Sequence, residues 1–111
     1  PEELVKAQNN GVIIVDIRRA EEWVQTGVIA GAETITAFQK NGNLHPEFRQ
    51  NFLELAPSPE TPVLLYCRTG NRTNSLGTAL IEQLGFSRVS HLTKGITGWT
   101  ADGRKTVTYT P

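Results

Sequence analysis

Cysteine occurs once in these 111 residues, the formal net charge is zero, and no apolar run approaches the roughly 18 residues of a membrane span. Each scarcity excludes something. A lone cysteine rules out an internal disulfide, so packing alone must hold the fold, and it leaves one thiol free either to react or to lie inert. Without a long apolar run, no helix of the chain is expected to cross a bilayer. The charge balance argues against nucleic-acid binding, which wants a marked basic excess. Of the two histidines, His45 and His91, neither has a metal-ligand partner at useful spacing, so no metal is expected. Repeats and low-complexity stretches are missing too. Cysteine usage favours the cytosol, while a start at Pro1 rather than at a methionine keeps the periplasm open should an export signal lie upstream.

What is present is an ordinary globular composition, 38% apolar and 20% charged, in a chain long enough for one hydrophobic core. It predicts a single domain over residues 1–111. The charge is unevenly spread. Residues 1–62 hold five basic and nine acidic side chains, residues 63–111 six basic and two acidic. The half that contains the cysteine is therefore locally positive, which suits a small anionic partner.

Consecutive apolar residues at Val12–Val15 and Val63–Tyr66 predict strands covered on both faces, as in a parallel sheet between helices. Helices are predicted at Glu2–Gln8 and Arg19–Gln25, from Pro46 through Leu55, from about Thr73 to Leu84, and from Gly95 to Trp99. In the fourth of these, Leu76, Leu80, Ile81 and Leu84 are the expected buried stripe. A small strand should end the Val28–Ile35 segment, and Arg88–Leu92 should form another. Thr106–Thr110 has strand propensity without an obvious partner. The alternation implies an α/β fold, a three-layer α/β/α domain with a mainly parallel sheet of four to five strands. Ligands of such sheets gather at the carboxyl ends of the strands.

Cys67 lies at such an end. Cys67-Arg68-Thr69-Gly70-Asn71-Arg72-Thr73 links a buried strand to a helix, so the thiol should face unpaired loop N–H groups and the positive end of the helix dipole. Both favour a thiolate and an adjacent anion. Gly70 and Asn71 tolerate the left-handed backbone that turns N–H groups inward. A thiolate in this bowl can attack the outer sulfur of a donor such as thiosulfate, hold it as a persulfide, and pass it to a thiophilic acceptor. Arg68 and Arg72 would orient the donor's sulfonate end. No metal or organic cofactor is needed.

Several spaced motifs then point one way: Asp16-Ile-Arg18 with Glu21-Glu22-Trp23, Gly27 through Ala32, Tyr66 through Thr73, and Val89-Ser-His-Leu92 leading to Gly95-Ile-Thr-Gly-Trp99. Together they resemble a single-domain rhodanese over nearly the whole chain. The resemblance implies a five-stranded sheet, a persulfide on Cys67, a thiosulfate-type donor, and a thiol, cyanide or protein acceptor. Gly27-Val28-Ile29 stands where the family often has Gly-His-Ile, and Lys94-Gly95 replaces a frequent Gly-Gly. The chain also starts where the family's first edge strand usually ends, so the tail near Val107 is expected to cover that edge.

Other readings stay open at this level. A sulfur carrier or interaction module acting with a partner enzyme would keep the same cysteine. The cysteine-dependent phosphatases related to rhodaneses resemble one another in having five residues between cysteine and arginine, where this chain has four. A thiol-redox protein would want a second cysteine. Arg68 reads either as a site cation or as a solvated charge, and Arg72 either as a donor-orienting cation or as a brace paired with a carboxylate. Asp16 and Arg18 are expected to tie their loop to the start of the Glu21-Glu22 helix. His91, inside a strand, is expected to be non-catalytic or a satisfied core polar group, and Trp23 and Trp99 to be core aromatics. Lys94 sits where it could reach a substrate entrance.

Overall fold

The computed structural model of the protein describes residues 1–110. In chain order the elements are α1 (Glu2–Asn9), β1 (Ile13–Asp16), α2 (Ala20–Thr26), β2 (Glu33–Thr34), α3 (Phe48–Leu55), β3 (Val63–Tyr66), α4 (Asn71–Leu84), β4 (Val89–His91) and α5 (Gly95–Ala101). The strands form one parallel sheet in the order β2-β1-β3-β4. Four strands lie at the lower end of the expected range, one short of the five that the resemblance implies.

Strand alternation sorts the core into two compartments. Val63, Leu65 and Cys67 join Val15 and Ile17 on the face covered by Phe48 and Phe52 of α3 and Leu76 and Leu80 of α4. Leu64 and Tyr66 join Ile14 on the face covered by Leu4 of α1 and by Ile96 and Trp99 of α5. These are the three layers expected. All four residues of β3 are buried, which is why that segment reads as an unbroken apolar run. Phe52 packs against Phe48 and Phe86, with ring centroids 5.4 and 5.2 Å apart, and fills the centre of the first compartment.

Several details depart from the sequence-based expectation. Helix α4 begins at Asn71, two residues early, because left-handed Gly70 (φ 101°) turns the chain straight into the helix. Ile81 is 51% exposed, since a residue next to Leu80 is rotated by about 100° away from the buried stripe. Helix α3 starts at Phe48 rather than Pro46, after a turn in which the Glu47 amide donates to His45 Nδ1 (3.1 Å). The tail does find a partner, but not the open edge of the sheet: Val107 forms an antiparallel bridge with Val28, and Tyr109 packs on Trp23 with centroids 5.2 Å apart. The free side of β4 is left uncovered by it.

Candidate functional site

Cys67 follows β3 directly and is 1% exposed. Its carbonyl and that of Arg68 accept the amides of Ile96 (2.9 Å) and Thr97 (3.1 Å), in the first turn of α5. With those carbonyls turned outward, the loop's own amides are free to face the sulfur. The Gly70 N–H donates to Cys67 Sγ at 3.2 Å. The amides of residues 71–73 open α4 and have no backbone acceptor among the described residues, as befits a helix start. Among the described residues one amide, that of Gly70, reaches the sulfur, and the free amides that open the 14-residue helix follow it directly in the chain.

The loop can come this close to its neighbours only because of two glycines. A Cβ on Gly70 would run into the Thr93 carbonyl, and one on Gly95 into the Arg68 and Cys67 carbonyls. Both residues also have positive φ, 101° and 59°. Two side chains complete the bracing. Arg72 donates to Glu22 through both terminal nitrogens, at 2.8 Å each, and ties the start of α4 to α2. Thr73, fully buried, sits 3.7 Å from Cys67 Sγ and 2.8 Å from His91 Nδ1.

The charges around the loop are mutually settled. The hydrogen bonds that Arg72 donates to Glu22 hold its guanidinium above its ordinary pKa against the opposing effect of burial, and the nearby Cys67 and Asp16 act in the same direction. Burial opposes ionisation of Glu22, but the Arg72 fork and the Arg19 amide outweigh it and keep the carboxyl below its usual range. Deeper in, Asp16 and Arg18 form a fully buried pair at 2.8 Å. Burial works against the Arg18 charge, and Asp16 more than restores it. Arg18 also donates to Thr26 Oγ1 (2.7 Å) and the Gly27 carbonyl (2.8 Å). It therefore anchors the end of α2, not its start, because its side chain runs along that helix. Burial, then Asp16, push the Tyr66 phenol far up, so it stays protonated and accepts the Ile29 amide (3.0 Å).

Of the residues expected in the site, Cys67, Gly70, Arg72 and Thr73 lie in this braced cluster, and Arg68, Thr69 and Asn71 form its exposed rim. Arg68 lines a cleft of about 270 Å³ with Arg18, Glu22, Thr97 and Thr100. Lys94 lines a different cleft, beside Glu3 and Asp102. The sequence did not mark Glu22 as the partner of Arg72, since two adjacent acids compete for that place. It did not join His91 to Thr73 either. The one available signal was a histidine near the carboxyl end of the strand beside β3.

A parallel α/β sheet that delivers its single thiol into a four-residue backbone cradle defines a class of small thiol-centred domains. A match to the family model Rhodanese-like domain runs over residues 1–102, and the chain belongs to that family. It is 26% identical over 91 residues to the protein RP600 of Rickettsia prowazekii, covering 81% of this chain and 73% of that one. It is 29% identical over 95 residues to the tRNA uridine(34) hydroxylase of Chlamydia trachomatis, covering 82% of this chain but only 27% of the relative. Among solved structures, the thiosulfate sulfurtransferase of Pseudomonas aeruginosa superposes with a TM-score of 0.70 at 27% identity, over 94% of this chain and 18% of that one. The domain thus recurs inside much longer proteins. Among the described residues no helix is long and apolar enough to cross a membrane.

Proposed function

We propose that the protein is a sulfurtransferase that moves sulfane sulfur from thiosulfate or a related anionic donor to a thiol, cyanide or protein acceptor through a persulfide on Cys67. The observation that carries this reading is the Gly70 N–H on Cys67 Sγ, in a loop whose carbonyls are drawn outward by α5. In the first half-reaction the Cys67 thiolate attacks the outer sulfur of thiosulfate. The S–S bond of the donor breaks and sulfite leaves with the electron pair. In the second, the acceptor attacks the terminal sulfur of the persulfide and Cys67 departs as thiolate. The amides of residues 68–73 hold the outer sulfur. Arg68, on the exposed rim, meets the sulfonate, and Arg72 contributes its charge from the position that Glu22 fixes. The whole reading treats residues 1–111 as one working domain, with no metal or organic cofactor and no nucleic-acid partner.

Support comes from family membership and from the structural likeness to a thiosulfate sulfurtransferase. The four residues between Cys67 and Arg72 argue for a sulfur rather than a phosphate ester in the bowl. The test is Cys67→Ser, assayed for thiocyanate formation from thiosulfate and cyanide. Turnover is expected to vanish while the circular dichroism spectrum is retained. Sulfur transfer surviving in that variant would refute the mechanism, and aryl-phosphate hydrolysis without sulfur transfer in the wild type would favour the phosphatase.

A further inference from the structure

At the floor of the cysteine loop three acceptors compete for one proton. The Thr73 hydroxyl lies 3.1 Å from the Gly70 carbonyl, 2.8 Å from His91 Nδ1 and 3.7 Å from Cys67 Sγ. A hydroxyl carries a single hydrogen, and an imidazole nitrogen either donates or accepts according to whether it bears one. When Nδ1 is protonated it donates to Thr73 Oγ1, and the threonine proton is left for the sulfur and the Gly70 carbonyl. When Nδ1 is bare it takes that proton, at the shortest of the three distances. The sulfur then keeps only the Gly70 N–H.

We propose that His91 is a positioning residue for Cys67: through Nδ1 it sets the direction of the Thr73 hydroxyl, and so decides whether the thiolate receives a second hydrogen bond. The fold builds this relay without strain. β4 lies beside β3 with His91 opposite Leu65, two residues before Cys67, and α4 packs on β4 with Thr73 in its first turn. His91 is partly buried, so its outer edge can exchange protons with solvent while Nδ1 is held inside.

Few other charges bear on it. On α4 the charged residues are Arg72, committed to Glu22, and exposed Glu82. On β3 the titratable groups are Tyr66, which belongs to the opposite compartment, and the adjoining Cys67. Arg88 and Lys94 flank β4 and are exposed. None of the ion pairs among the described residues includes His91.

This inference rests on Cys67 being the working nucleophile, yet it can be read without any sulfur donor. The measurement is the rate of Cys67 alkylation by iodoacetamide between about pH 5 and 9, the range in which thiol and imidazole groups titrate. The wild type is expected to show two inflections. His91→Phe and His91→Asn should each show one, the asparagine offering hydrogen bonds at the same branch but no titration. Thr73→Val should show one, with the rate lowered about tenfold at the acid end of the range, where a protonated Nδ1 leaves the threonine hydrogen for the sulfur, and little changed at the alkaline end. Adding His91→Phe to Thr73→Val should then change nothing further. A His91→Phe profile that superimposes on the wild type would overturn the inference. So would a His91→Phe effect of equal size in the Thr73→Val background, since that marks a charge acting through space. Should the phenylalanine variant fail to fold, the asparagine variant carries the same comparison. Persulfide loading, measured separately, keeps the two readings apart. A His91-dependent inflection without loading sinks only sulfur transfer, and loading with a single inflection sinks only the role of His91.

Discussion

Glu22 holds Arg72 by a two-pronged contact that is only partly exposed, with 15% and 24% of the two side chains open to solvent. Such a contact has direction as well as charge, and it fixes where the first turn of α4 starts relative to α2. Glu22→Gln keeps the volume and removes the charge. We expect it to lower stability at neutral pH by about 1–2 kcal/mol, the scale of a partly screened, charge-assisted pair. The pH dependence has a definite sign. Because the folded protein holds the Glu22 carboxyl below its usual range, the pair's contribution is fully present above the ordinary carboxylate value of about 4.3 and is lost as pH falls through the lowered folded value. Urea unfolding of both proteins across an acid series should show the difference shrinking toward low pH. A difference that stays constant there would mean that Glu22 acts by packing and not by charge.

The cysteine loop, α4 and the turn between β4 and α5 behave as one element of structure, because their backbones touch. Gly70 and Gly85 bracket α4 and both have positive φ, 101° and 72°, but only Gly70 faces another backbone, the Thr93 carbonyl, while nothing lies within 4 Å of a Cβ on Gly85. An alanine at Gly85 should therefore cost about 1 kcal/mol of backbone strain, whereas at Gly70 the steric term adds to it and the loss should exceed about 2 kcal/mol. Equal losses in chemical unfolding would contradict the close approach. Much of this element was legible beforehand. The apolar run into Cys67 and the glycine at the turn announced a strand, a loop and a helix, because both signals are local. What stayed hidden depended on pairings distant in the chain. Arg72 meets Glu22 from 50 positions away, Thr73 meets His91 from 18, and Val107 meets Val28 from 79, and no periodicity encodes such choices. Ile81 was misplaced for a simpler reason. Leucine and isoleucine look equally core-like, and only the helix angle separates position 81 from 80.

At the scale of the whole molecule, a sheet with a core on each face pins Cys67 between two helix starts, α5 behind the loop and α4 in front of it. Of the six basic residues after position 62, Arg68 stands exposed on the loop rim and Arg72 beside it is paired with Glu22, while Lys94 lines a separate cleft. The tail, bridged to Val28 and packed at a tilt on Trp23, reinforces the α2 side. The central claim is that this arrangement loads sulfur onto Cys67, and it is tested most directly by weighing the intact protein. The protein is incubated with thiosulfate, freed of excess donor, and measured before and after a thiol reductant. A gain of one sulfur atom that maps to Cys67 and disappears with the reductant is the expected result. No change in mass, in a protein whose Cys67 is still reduced and open to alkylation, would contradict it.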